Sequence, residues 1–192
     1  MAADICGILL AAGASKRFGS NKLMHPLTGG TPVALAALAN LRTALPRVIA
    51  VVRPGVPELE NRLSEGGATV IQCVNADDGM GASLATAIGA SGAVAGWVIA
   101  LADMPYIQPE TIAKIAATMV AGAAMVAPAY KGQRGHPVGI SARFRAQLEG
   151  LRGDEGARSV LNANAGLIKL IDVDDPGVCQ DIDTPDDLRP VR

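Results

Sequence analysis

The chain is poor in the side chains that most often announce a chemistry. Only 3% of its residues are aromatic, two Phe, two Tyr and one Trp, too few rings to stack the successive bases of a single strand. The 17 basic and 18 acidic residues leave a formal charge of -1, so no whole-protein field draws nucleic acid or anionic lipid to it. No nucleic-acid or membrane partner is expected. The only histidines, His25 and His136, lie far from any other soft ligand, which argues against zinc. Cys6, Cys73 and Cys179 are odd in number and show no C-x-x-C spacing, so they read as reduced thiols of a cytoplasmic protein. Long apolar runs are missing too. The stretch from Ile5 to Ala12 is too short to cross a bilayer and has no basic region before it, so it reads as a strand and not as a signal peptide.

What the chain does have is apolar material, 49% of 192 residues, ample for one core within one domain spanning 1–192. Ile5 to Leu10 is a continuous apolar run of the kind that forms a fully buried strand. Thr31 and Pro32 suggest an N-cap with Pro at the first helical position, and Leu35, Leu38, Leu41 and Leu45 recur at helical spacing. Strands are expected at Val48 to Val52, Thr69 to Val74, Trp97 to Ala102 and Met125 to Ala129. Helices are expected at Pro57 to Glu65, from Gly81 to Ala90, and from Pro109 with Ile112, Ile115, Ala116 and Met119 on one face. Beyond Tyr130 the rhythm loosens, with a strand at Pro137 to Ile140, helices at Phe144 to Leu148 and Ala157 to Leu161, and a late strand at Leu167 to Val173. Sustained strand and helix alternation predicts an α/β fold, a doubly wound, mainly parallel, Rossmann-like sheet with helices on both faces. Ligands of such sheets gather at the carboxyl ends of the strands.

The first strand runs into Gly13, Ser15, Lys16, Arg17, Gly19 and Lys22. Glycines let backbone N–H groups turn toward an anion, and Arg17 and Lys22 neutralise its charge, so the loop suits a polyphosphate. A solvated turn with scattered cations is the plainer alternative. Two familiar phosphate loops do not fit. Five residues separate Gly13 from Gly19, which precedes Ser20 and Asn21 where a Walker A loop needs Lys and Ser/Thr, and G-x-G-x-x-G is absent.

Leu10-Ala11-Ala12-Gly13-Ala14-Ser15-Lys16-Arg17-Phe18-Gly19-Ser20-Asn21-Lys22 instead resembles L-A-A-G-x-S-x-R-[FM]-G-x-x-K, the signature of MobA-like nucleotidyltransferases. Within that family it looks most like the cytidylyltransferases of the molybdenum cofactor, which carry Ala at the position of Ala12 where guanylyltransferases carry Gly. The resemblance implies that Leu10, Ala11, Ala12, Gly13, Ser15, Arg17 and Lys22 hold the nucleoside triphosphate. A Cβ at Ala12 narrows the room for a purine, which leans toward CTP over GTP by a single methyl-sized change.

Asp103 falls just past the fourth expected strand, where a carboxylate facing a phosphate loop is a natural Mg2+ ligand; an Asx turn into Pro105 is the alternative. Downstream, Asp181-Ile182-Asp183-Thr184-Pro185-Asp186-Asp187-Leu188 reads as a capped helix start with Pro at its first position. It also resembles the family's D-I-D-T-P-x-D-L, which implies that Asp183 joins Asp103 in holding the metal. Gly79-Met80-Gly81-Ala82-Ser83-Leu84 resembles the family's G-M-x-x-S-L, implying nucleotide contacts by Gly79, Met80 and Ser83. A helix starting there would offer free N–H donors, and a glycine-rich turn explains the residues equally well. Gly132 to Pro137 resembles G-x-x-G-H-P and Gly153 to Arg158 resembles G-D-x-G-A-R, which puts Arg134, His136 and Arg158 on the acceptor side, facing an anionic pterin phosphate. A histidine before proline also reads simply as a turn residue.

These readings converge on a Mg2+-dependent transfer of CMP from CTP to the terminal phosphate of molybdopterin, with Arg17, Lys22 and Asp103 as the catalytic groups. The alternatives are GTP or a sugar or polyol phosphate on the same scaffold, and a non-catalytic nucleotide-binding accessory protein serving a molybdoenzyme or its chaperone. An oxidoreductase is disfavoured by the missing dinucleotide fingerprint.

Overall fold

The computed structural model of the chain describes residues 4–13, 18 and 22–188. Its first strand, β1 (Ile5–Ala11), is followed by α1 (Val33–Ala44), β2 (Val48–Val52), α2 (Pro57–Glu65), β3 (Thr69–Gln72), α3 (Met80–Ala90), β4 (Gly96–Leu101) and α4 (Pro109–Val120). Then come β5 (Met125–Tyr130), β6 (Gln133–Arg134), β7 (Val138–Ser141), α5 (Arg145–Glu149), α6 (Arg158–Ala163) and β8 (Ile168–Asp172). The strands form one sheet in the order β3-β2-β1-β4-β7-β5-β6, with β8 pairing β5. β1 is hydrogen-bonded in parallel to both β2 and β4, β2 to β3, and β5 to β8. The mainly parallel doubly wound sheet expected from the alternation is what forms.

The apolar strands alternate between two cores. Along β1, Ile5, Leu9 and Ala11 face one layer, which they share with Leu38 and Leu41 of α1, Leu59 and Leu63 of α2 and Ile112 and Ile115 of α4. Cys6 and Ile8 face the other, with Leu84 and Ile88 of α3, Leu148 of α5 and Leu161 of α6. Each fully buried leucine contributes roughly 1.5–3 kcal/mol. A strand covered on both faces has no polar side, which is why the strand sequences read as continuous apolar runs.

Several boundaries differ from expectation for local reasons. Thr31 does not cap α1: its carbonyl accepts from Leu27 N, Pro32 occupies the cap position, and the helix starts at Val33. The third strand ends at Gln72, before Cys73 and Val74, and Val74 is 81% exposed. The strand expected at Pro137 to Ile140 forms as β7 and runs antiparallel between β4 and β5. Between β6 and β7 the chain leaves the ladder: Gly135 N still donates to Pro128 O, but His136 N donates to Val178 O at 2.8 Å. The helix expected after Thr184 is a single 3-10 turn, Pro185–Leu188. No helix among the described residues is long and apolar enough to cross a membrane.

Candidate active site

The carboxyl ends of β1, β2 and β4 deliver Gly13, Arg53 and Asp103 to one edge of the sheet. Asp103 lies within the short turn in which Met104 N donates to Leu101 O, and its own carbonyl accepts from Ile182 N at 2.9 Å. Ile182 is fully buried, so this bond and that side chain hold the segment 181–183 against the end of β4. The neighbouring Asp183 thereby reaches the same point in space. Thr184 and Asp183 are fixed from below, since both donate their backbone N–H to Asp187 Oδ2, at 2.7 and 3.1 Å. This is the acid half of a capping box, and these bonds, with the Thr184 hydroxyl first, hold the Asp187 pKa below its ordinary value.

Lys22, in the 3-10 turn Lys22–Met24, sits between the two carboxylates. Its Nζ donates to Asp103 Oδ2 at 2.9 Å and to Asp183 Oδ1 at 3.2 Å. Burial by itself pushes an ammonium's pKa down; the hydrogen bond and charge of Asp103, then those of Asp183, outweigh it and leave Lys22 raised. The lysine is charged at neutral pH. Two carboxylate oxygens already converge on one cation, and hard oxygen donors of this kind suit Mg2+ or Mn2+. Among the described residues no group of three or more His, Cys, Asp or Glu is placed to hold a metal.

Beside this cluster lies a cavity of about 380 Å³ whose walls include Leu10, Ala12, Gly13, Gly79, Met80, Ser83 and Asp103. Six residues expected around a nucleotide, and Asp103 expected on its metal, are thus together. Ala11 is not among them: strand alternation turns its side chain into the opposite core layer. Ser15 and Arg17 lie outside the described residues. The donors expected at the start of α3 are partly spent, because Gly81 N donates to Gly153 O at 2.7 Å. Gly79, at φ +107°, and Gly81 press directly on the 152–154 backbone, where a Cβ on Gly81 would come within 2.8 Å of the Arg152 carbonyl oxygen. These glycines serve a close approach of two loops as much as a ligand.

A second cavity of about 610 Å³ shares Leu10, Met80, Leu101 and Asp154 with the first and extends to Arg134, His136 and Arg158. All three residues expected on the acceptor side therefore line one space. Burial pushes the pKa of His136 below the ordinary histidine range against the pull of Asp103, and its Nδ1 is buried with no partner among the described residues. It is a neutral hydrogen-bonding group, not a cation.

Three charged residues of the first cavity escaped the sequence reading: Arg53, Asp77 and Asp154. Arg53 carried a usable signal, since it is the first residue beyond β2 and the rule that selected Asp103 applies to it equally. Asp77 and Asp154 sit in turns whose placement depends on packing.

A cavity at the carboxyl edge of a doubly wound sheet, with Asp103 in its wall bonded to Lys22, fits the nucleotidyltransferase class. Residues 7–167 match the MobA-like NTP transferase domain, and the chain belongs to that family. It is 30% identical over 198 residues to the purine catabolism protein PucB of Bacillus subtilis (strain 168), covering 98% of this chain and 96% of that one. It is 30% identical over 193 residues to nicotine blue oxidoreductase of Paenarthrobacter nicotinovorans, covering 96% and 94%. The crystal structure of Rv0371c from Mycobacterium tuberculosis H37Rv superposes with a TM-score of 0.83 at 28% identity over 97% of this chain and 96% of that one. The manganese complex of the same protein superposes with a TM-score of 0.77 at 25% identity, covering 96% and 95%.

Proposed function

We propose that the protein transfers CMP from CTP to a phosphorylated acceptor, molybdopterin, with release of pyrophosphate. The observation that carries this reading is the convergence of Asp103 and Asp183 on Lys22 at the rim of a cavity that joins a second one. Two joined cavities suit two substrates. In this reading the first takes the nucleotide, with its triphosphate against the loop from Gly13 to Lys22, and Arg17 and Lys22 balance the phosphate charge. The second takes the acceptor, with Arg134 and Arg158 on its phosphate and neutral His136 as a hydrogen-bonding partner. Asp103 and Asp183 would hold a divalent ion, Mg2+ in the working enzyme, which would supply charge neutralisation for the phosphates. The manganese complex of the Rv0371c protein supports a divalent ion in this family.

The acceptor's phosphate oxygen attacks the α-phosphorus, a new P–O bond forms, and the bond to the β-phosphate oxygen breaks as pyrophosphate leaves. A phosphate monoester with a second pKa of about 6 is already ionised at neutral pH, so the chain needs no general base. Its contribution is positioning and charge. Incubating the protein with Mg2+, molybdopterin and each of the four NTPs tests this: pyrophosphate release is expected with CTP and is abolished by Asp103→Ala. Unchanged release from that variant, or none from the wild type, overturns the reading.

A second reading, a redox role, is favoured by the full-length likeness to nicotine blue oxidoreductase. It predicts saturable NAD(P)H binding, where the first predicts none.

A further inference from the structure

We propose that Arg53 and Asp77 read the Watson–Crick edge of the base and select cytosine over uracil; the inference rests on the nucleotidyltransferase reading. The two residues face the same cavity as Ala12, Gly13, Gly79 and Ser83. Arg53 projects from the carboxyl end of β2, and its Nη2 donates to Asp77 Oδ1 in the 3-10 turn Ala76–Asp78.

Structural stability does not account for this pair. The Asp77 side chain is 94% exposed, and an ion pair with so open a partner contributes little to folding. Arg53, in contrast, is drawn in. Its side chain is 28% exposed, and its Nε–H is buried with no acceptor among the described residues. A buried guanidinium N–H without an acceptor is costly, so stability does not explain why Arg53 is drawn in, and the same residue lines the cavity.

The chemistry of the pair names the ligand. A guanidinium presents N–H donors in a planar fork, and the carboxylate beside it accepts. The row is donor, donor, acceptor. Cytosine's edge offers the carbonyl O2 and ring N3 as acceptors and the N4 amino group as donor, the complementary row. Uracil has the same size and the opposite pattern at two of three places. Its N3–H points at the guanidinium, and its O4 carbonyl points at the carboxylate. Steric narrowing by Ala12 acts on purines and leaves these two pyrimidines alike, so uracil isolates the hydrogen-bond code from the effect of size. A site built to bond a polar group rejects its lack by up to 10⁴–10⁵-fold when fully enclosed; with Asp77 open to water, roughly a hundredfold is expected.

The test uses the full chain with Mg2+ and measures Kd for CTP, UTP and GTP by calorimetry in the wild type, Arg53→Met and Asp77→Asn. The wild type is expected to prefer CTP over UTP by about a hundredfold, and each variant to fall below about tenfold while still binding both nucleotides through their phosphates. Asp77→Asn, at an exposed turn, keeps the test valid where Arg53→Met perturbs folding. Equal wild-type affinity for CTP and UTP, a wild-type preference for GTP, or unchanged discrimination in Asp77→Asn overturns the inference alone. Absence of binding to any nucleotide overturns the function proposal with it.

Discussion

Replacing Lys22 by Met removes one charge and almost no volume, so it measures what the ammonium does between its two acids. Lys22 and Asp103 are the sheltered pair, with side chains 11% and 24% exposed, and their charge-assisted bond is 2.9 Å long. A hydrogen bond to a charged group is worth about 1.5–3 kcal/mol, and partial exposure places this one near the lower end. Asp183 is 42% exposed, so solvent screening reduces its share to about 0.5 kcal/mol. The expected loss is about 2 kcal/mol, or roughly 4–8 °C in Tm for a chain of this size. Trp97, the single tryptophan and fully buried, reports unfolding by its fluorescence. Adding Asp103→Asn to Lys22→Met removes one of the two stranded carboxylates and should recover part of the loss. The pH dependence follows from the raised Lys22 pKa. A group raised on folding stabilises fully below its unfolded value, about 10.4, and loses that contribution as pH climbs through the folded value above it. The gap between wild type and Lys22→Met should therefore be equal at pH 6 and pH 9 and narrow only in stronger alkali. A variant as stable as the wild type, or a double variant weaker than the single one, refutes the account.

Two further outcomes are expected. Gly79→Ala forces a side chain into φ +107° and against the Gly153 backbone; it should cost about 1–3 kcal/mol and raise KM for nucleotide and acceptor together, and unaltered stability in urea would contradict the contact. The thiols should divide on titration with Ellman's reagent at pH 8. Cys6 is buried and pushed up to about 11, mainly by that burial, and Cys73 is buried as well, whereas Cys179 is partly open and is itself raised by burial. One slow thiol is expected in the native protein and three in denaturant; two or more reacting natively would refute the packing.

The parts legible in the sequence are those set by short-range rules. Pro57–Glu65 and Val48–Val52 form with the bounds the sequence indicates because local periodicity and punctuation decide them. Asp103 was legible because strand ends are visible as the end of an apolar run. Asp183 was found only through a family motif, since nothing local shows that Ile182 will dock on the end of β4. Asp175, which the sequence reading did not single out, accepts from Gln108 N and Thr111 Oγ1 at the start of α4, at 2.9 and 2.7 Å. A cap supplied from so far along the chain leaves no trace beside the helix it caps. Arg53 was readable by the strand-end rule, but its reach to Asp77 depends on the turn Ala76–Asp78, which packing places.

The Lys22–Asp183 bond joins positions 161 residues apart. Such a closure comes last in kinetic order, because its loop entropy is repaid only after the intervening sheet exists. A chain whose sheet has formed but whose Lys22–Asp183 bond has not thus carries a nearly complete scaffold with an open charge cluster. Ion binding measured during refolding would mark the final step of assembly, after tryptophan fluorescence has already settled.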